Sequence, residues 1–394
     1  MPLCNGQLED QAKELVAKSA HLGGMLPQMT RGAVSDLLRL INSYYSNLIE
    51  GNNTEPAEIE KAMQRDYSQD PAKRDLQMES LAHIHVQREM EKKLAENPDL
   101  DPSNKDFLCW LHEVFYEQIP EDLHWVGNDE TGERVRVIGG EIRQREVNVG
   151  LHHPPDAQEL DSYLRRFYDV YQRGHHHGIK PIIAAAAAHH RLLWIHPFMD
   201  GNGRVARLYT DASLRLNLDG YGLWNVSRGF ARNAAKYKAS LSMADAGRRN
   251  DLDGRGNLSN EGLITFCRFF LDVCHDQVDY MKGLLQLDGI SHRIKGYVRL
   301  RAEKMIPGPA GQYRGMKPEA AKMIEAVLRQ GQMTRGEVSE AAGSHRTGRD
   351  ILPQLIEEKI LVSDMPKGPV RVAFPTHIAG YLFPDLYPNR LLLK

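Results

Sequence analysis

The 394-residue sequence predicts a mainly α-helical protein with one β-hairpin and a small domain of helices and strands at its carboxyl end. Three observations predict this. Apolar residues recur every three or four positions through most of the chain, as in amphipathic and buried helices. Between 132 and 150 the pattern changes to short alternating β-prone pieces. After residue 316, three short helical patterns precede two β-prone pieces around a proline-bearing turn. At roughly 100–200 residues per domain, this length holds about two or three domains and a sizeable core.

From the amino end, Val34, Leu37, Leu38, Ile41, Tyr45 and Leu48 step by three and four, marking a helix over 32–51 that Gly51 closes. A helical region follows in the seventies to nineties, and another spans 105–117. RVRVI and REVNVG, separated by Gly139 and Gly140, read as the two strands of the hairpin, which Pro154 and Pro155 end. Helical patterns then run from Asp156 to Leu285. Within them, the alanine-rich segment after Pro181 reads as a buried helix, with that proline suited to its first turn. Beyond a linker carrying Pro307, Gly308, Pro309 and Gly311, helices are expected over 318–330, 335–342 and 346–359. The pieces ILVS and VRVAF then form a wing, so residues 316–394 read as a winged helix-turn-helix. Pro353 falls inside its third helix, where a proline disturbs the backbone ladder.

Fifty Lys and Arg against fifty-two Asp and Glu give a formal charge of −2, which argues against a protein coated in nucleic acid or lying on an anionic membrane. The four cysteines are too few and too scattered for a disulfide framework or a zinc ribbon, and Cys267 and Cys274 share one helix face as core residues. The start of the chain lacks the basic-then-apolar order of a signal peptide, and no apolar run approaches a membrane span. A cytoplasmic protein with no membrane partner is expected.

The chemistry concentrates in His196 to Arg207, HPFMDGNGRVAR. Gly201 and Gly203 permit a side-chain-free backbone whose N–H groups face an anion, and the apolar beat Val205, Leu208, Ala212, Leu216 starts a helix just after them. Arg204 and Arg207 sit in its first turns, where cations oppose the helix dipole unless a polyanion is bound. Asp200 suits a Mg²⁺ ion between phosphates, and His196 suits a general base. These twelve residues match every fixed position of HxFx(D/E)GNGRxxR, so the chain resembles the Fic-domain proteins over roughly residues 30–285.

That resemblance implies a Fic helical fold with a β-hairpin flap, and transfer of AMP from ATP, with Mg²⁺, to a Tyr, Thr or Ser hydroxyl of a target protein. It implies that His196 takes the hydroxyl proton and Asp200 holds the metal. Gly201, Asn202 and Gly203 would grip phosphate oxygens, Arg204 the β-phosphate region and Arg207 the γ-phosphate. Tyr237 and Asp245 would reach the adenosine end. SNLIEG, from Ser46 to Gly51, fits the (S/T)xxxE(G/N) inhibitory motif of many Fic proteins. A carboxylate at the negative end of one helix and an arginine at the positive end of another would each satisfy the other, so a Glu50 to Arg207 pair is expected to block the γ-phosphate seat. The segment Arg143 to Pro155 resembles the Fic flap, with Val147, Asn148 and Val149 pairing with the target's backbone.

Two tempting metal patterns fail. In DLDGRGNLSN, from Asp251 to Asn260, Arg255 stands where a calcium loop needs an oxygen ligand and Gly262 replaces its closing Glu. Three adjacent histidines, His175 to His177, cannot all face one ion and read as a polar loop. From 316 to 394, eleven Lys and Arg stand against nine Asp and Glu, which leaves DNA and a protein equally open as partners of the winged helix.

The expected organisation is an amino-terminal helical region over 1–100 with the inhibitory helix at 32–51, a Fic core over 101–286, a linker over 287–315 and the winged helix over 316–394. The expected function is a protein adenylyltransferase autoinhibited through Ser46 and Glu50. Removal of AMP from a modified protein is its close alternative, and a winged-helix transcriptional regulator with a nucleotide-sensing core is the alternative of another class. A homodimer is left open.

Overall fold

The computed structural model describes residues 1–3, 6–127, 132–150 and 152–388. Cys4, Leu151 of the anticipated flap, and 389–394 of the carboxy-terminal domain lie outside them. The chain divides into two compact units, one of Met1–Ser19, Asn42–Tyr221 and Asn225–Gln277, the other of Ala20–Ile41, Gly222–Trp224 and Val278–Lys394.

In chain order, the elements are α1 (Gly6–Gly23), α2 (Gln28–Ile49), α3 (Pro56–Met63), α4 (Pro71–Glu96), α5 (Lys105–Glu117), β1 (Trp125–Gly127), β2 (Arg134–Arg136), α6 (Leu160–Tyr171), α7 (Lys180–Ile195), α8 (Asn202–Asn217), α9 (Val226–Arg232), α10 (Ala234–Asp245) and α11 (Asn260–Leu285). At the heart of the first unit, α7 is buried through Ile182 to His190 and packs on α8 and α6. Its run from Ala184 to Ala188 presents no bulk, which lets α8 approach closely. Pro181 sits in its first turn, as expected. Cys267 and Cys274 are buried on α11.

The hairpin is not the one anticipated. Arg134–Arg136 pairs antiparallel with Trp125–Gly127, Val126 opposite Val135, and not with REVNVG. The reason lies in the two glycines. A Cβ on Gly139 would stand 3.1 Å from the Cβ of Tyr116, and Gly140 has φ +78°, so the chain presses against α5 and turns away. Residues 143–150 then run as an irregular segment, and Val149 forms an isolated bridge with His152.

The second unit contains α12 (Leu287–Ala302), α13 (Ala320–Gln330), β3 (Gln332–Met333), α14 (Arg335–Ala341), α15 (His345–Glu357), β4 (Leu361–Val362), β5 (Val370–Val372) and α16 (Thr376–Leu382). The strands order as β3-β5-β4, all antiparallel. Most of the expected linker is the helix α12, whose Ile290, Ile294, Tyr297 and Val298 are buried. Thr334 and Glu337 form a capping box at the start of α14. Gly348 lets α15 lie against α14, since a Cβ there would fall 2.1 Å from the Ser339 carbonyl oxygen. Arg301 and Glu358 form a buried bidentate pair, with N to O distances of 2.8 and 2.9 Å, that joins α12 to the end of α15.

Candidate functional site

The site is built where α7 gives way to α8. His196 ends α7 in the left-handed region, φ 50°, its N–H donating to the Leu192 carbonyl. Asn202 closes the loop that follows: its Oδ1 accepts from the Phe198 N–H at 2.9 Å and its Nδ2 donates to the Phe198 carbonyl at 2.8 Å. Both polar groups of Asn202 are thus engaged in bracing the loop. Gly201, φ +76°, caps α8, where a side chain would be strained. The first N–H groups of α8 have no carbonyl below them, so this end is a natural anion seat.

A carboxylate stands at that seat. Arg207, 3% exposed, donates from Nη2 to Oε1 of Glu50 at 2.6 Å, and from Nε to the Ser46 hydroxyl at 2.9 Å. Gly203 makes room for it, because a Cβ there would lie 2.3 Å from the same Glu50 oxygen. Burial works to raise the Glu50 pKa, yet the charge and hydrogen bond of Arg207 overcome it and hold the carboxyl below its ordinary value. The last turns of α2 are held against α4 by Asn42 to Gln87, Ser43 to the Ser80 carbonyl, and Asn47 to the Ser80 hydroxyl.

Arg204 has its own acidic partner. Its Nη2 donates to Glu79 of α4 at 2.9 Å, and Asn52, two residues beyond Glu50, donates to the same oxygen at 3.1 Å. Burial of Glu79 outweighs Arg204 and raises its pKa. Arg204 also lies 4.8 Å from the Phe115 ring centroid. Its buried Nε finds no hydrogen-bond partner among the described residues.

Asp200 projects its carboxylate, 48% exposed, into the cleft and accepts from the Tyr116 hydroxyl at 2.9 Å. His112, one turn earlier on α5, stacks on Phe198 with ring centroids 4.1 Å apart. Its Nδ1 accepts from the Gly140 N–H at 2.9 Å, so its Nε2 carries the proton and donates to the Asp200 carbonyl at 3.2 Å. Burial pushes His112 down to about 4, keeping it neutral in this role.

Burial also pushes His196 down to about 4, with nearby His152 and Arg143 adding to the effect. The Leu193 carbonyl, 3.3 Å from Nδ1, can only accept, which assigns the ring proton to Nδ1 and leaves Nε2 with a free lone pair.

These groups face a cleft of about 820 Å³ lined by Glu50, Asn52, Val147, Asn148, Val149, His196, Met199 and residues 200–204, with Val126 and Val135 of the hairpin on its rim. Arg207 and Ser46 lie buried against Glu50. Tyr237 is elsewhere: 3% exposed, stacked on Phe230 at 4.5 Å, its hydroxyl hydrogen-bonded to His189 at 2.7 Å, in place of the adenosine contact expected. Asp245 pairs with His190 at 2.9 Å. Among the described residues, no three His, Cys, Asp or Glu side chains cluster as metal ligands. Asp253 instead accepts backbone N–H groups from Arg249 and Glu261 in an ordinary turn. His175 and His176 bond to the carbonyls of Asp169 and Val170.

Glu79, His112 and Tyr116 were not anticipated. The one trace of them in the sequence is the placement of His112 and Tyr116 four apart on an otherwise apolar helix face.

Residues 102–214 match the model of the Fic/DOC family. Over 78 residues it is 41% identical to Protein adenylyltransferase Fic of Drosophila willistoni and 42% identical to that of Drosophila ananassae. Each match covers 20% of this chain and 16% of the relative, so the chain spans about a sixth of the curated relatives it matches. Among solved structures, a Fic family protein from Desulfovibrio desulfuricans superposes over 95% of this chain and 98% of its own, with TM-score 0.53 and 17% identity. Fic-1 from C. elegans does so over 71% and 72%, with TM-score 0.54 and 17% identity. These two likenesses are of fold.

Proposed function

We infer that the protein transfers AMP from ATP to a hydroxyl side chain of a target protein, and that Glu50 holds it in an inhibited state. The observation that carries this reading is the Glu50 carboxylate on Arg207 at the amino end of α8, in a seat suited to a phosphate. The relatives named adenylyltransferase support it through the stretch they share with this chain. The unpartnered Nε of Arg204 supports it too, as a buried donor awaiting an acceptor.

With the carboxylate displaced, the triphosphate occupies the cleft, Arg207 takes its γ end and Arg204 its middle. Asp200, exposed and oriented by Tyr116, fits the single carboxylate that Mg²⁺ takes alongside phosphates and waters. When bound there, such an ion would neutralise phosphate charge. A target segment laid along Val147 to Val149 brings its hydroxyl to Nε2 of His196. Nε2 accepts the proton as the hydroxyl oxygen attacks the α-phosphorus. The bond from that phosphorus to the bridging oxygen breaks, and pyrophosphate leaves with the electron pair. The rate comes from positioning and charge placement. DNA or a protein at the helices α14 and α15, and a homodimer, are partners this reading leaves to experiment.

Labelled ATP tests it. Protein-bound α-label on the Glu50→Gly variant means AMP transfer. Protein-bound γ-label means a kinase, and neither label together with sequence-specific DNA binding means a regulator.

A further inference from the structure

Arg143 opens the segment that borders the cleft, and its side chain is fully buried. The carboxylate beside it, Glu146, is 3.5 Å away and 63% exposed, so no buried ion pair explains a guanidinium here. Its donors go to main-chain carbonyls. Nε donates to His196 at 2.9 Å, Nη1 to Arg145 at 2.8 Å, and Nη2 to Pro155, while its own backbone N–H donates to Pro197 at 2.9 Å. Burial lowers its pKa, as it does for any cation removed from water, and such a group is tolerated only when its donors are satisfied.

The acceptors are informative. Arg145 and Pro155 stand at the two roots of the flap segment. The His196 carbonyl belongs to a non-glycine residue in the left-handed region, where the backbone is held by its surroundings. One planar fork therefore joins both ends of the flap to the residue that carries the candidate base. A lysine has three donors on one point and cannot span three separated carbonyls.

We propose that Arg143 is a positioning residue for the transfer reaction: it sets the register of the flap against His196, so that a hydroxyl presented along Val147 to Val149 meets Nε2. The proposal rests on the reading of this cleft as a transfer site, and its test separates the two. In the Glu50→Gly background, Arg143→Lys should lower the kcat for incorporation of α-labelled AMP by roughly a hundred-fold. The KM for ATP should stay unchanged, because no Arg143 contact reaches the anion seat. Hydrogen exchange at Val147 to Val149 and His152 should rise while α7 and α8 keep their protection, a readout independent of activity. Where Arg143→Lys fails to fold, as shown by exchange rising throughout, Arg143→Gln takes its place. Unchanged flap exchange in a folded variant overturns the proposal, as does an unchanged kcat in an active one. An inactive Glu50→Gly parent with the expected flap loosening refutes AMP transfer and leaves the strut standing.

Discussion

Replacing Glu50 by glycine removes one charge-assisted hydrogen bond, from Arg207 at 2.6 Å, and one carboxylate from the mouth of α8. Bonds of this kind contribute about 1.5 to 3 kcal/mol. The Glu50 side chain remains 37% exposed, so screening by water places this pair at the lower end. About 1.5 kcal/mol corresponds to roughly ten-fold in the population of molecules whose Arg207 is free to grip a phosphate. Loss of the repulsion between carboxylate and γ-phosphate adds to this, so incorporation of α-labelled AMP, measured as initial rate at fixed Mg–ATP, should rise at least about ten-fold. The double variant Glu50→Gly with Arg207→Ala should lose the gain, because the role proposed for the freed guanidinium is to hold the γ-phosphate. An unchanged or lower rate in Glu50→Gly refutes the inhibitory role, and a gain that survives in the double variant refutes the part given to Arg207. If Glu50→Gly instead slows release of AMP from an already modified target, the carboxylate serves the reverse reaction.

Other consequences follow from the same contacts. Tyr116→Phe removes the hydroxyl on Asp200, a loss of about 1 kcal/mol, and should raise the Mg²⁺ concentration for half-maximal activity several-fold; an unchanged metal titration would show that Tyr116 does not orient Asp200. In the first unit, burial pushes His83 and His189 down to about 3 and His112 and His196 down to about 4, all below the unfolded value of about 6.5. The native state thus binds fewer protons than the unfolded state in that window. Stability is full above pH 6.5 and falls as pH drops toward 4, each such histidine removing about 1.4 kcal/mol per pH unit. Urea unfolding at pH 7.5, 6 and 5 checks this, and a flat profile would contradict it. Arg301→Met leaves Glu358 buried without its partner and should destabilise the second unit by about 3 to 5 kcal/mol in denaturant unfolding; a loss near zero would show the pair to be solvated.

What the sequence disclosed depended on how local each signal was. His196 to Arg207 is contiguous, so its histidine, carboxylate, glycines and arginines were readable together, and the structure lines most of them along one cleft. Glu50 was readable because a motif and a helix end coincide there. Glu79 and Tyr116 reach Arg204 and Asp200 from α4 and α5, Arg143 reaches the His196 carbonyl from the segment after the hairpin, and no local spacing links them to the motif. Tyr237 misled because a tyrosine on a weakly patterned helix gives no sign of whether its hydroxyl faces a ligand or, as here, a buried histidine. The hairpin partner was misassigned since RVRVI and REVNVG have equal β propensity, and the choice is made by Gly139 and Gly140 packing on α5. Helix α12 was hidden by Gly289 and Gly296, although Ile290, Ile294, Tyr297 and Val298 keep a helical beat.

Under the proposed function, this cleft places AMP on a protein hydroxyl with His196 as the base. Intact-mass and peptide mass spectrometry of the Glu50→Gly protein after incubation with Mg–ATP, with and without an added His196→Ala change, tests it most directly. An AMP adduct on a Tyr, Thr or Ser side chain is expected in the first protein and none in the second, with ATP binding retained in both. A phosphate adduct, or an AMP adduct undiminished when His196 is alanine, would contradict it.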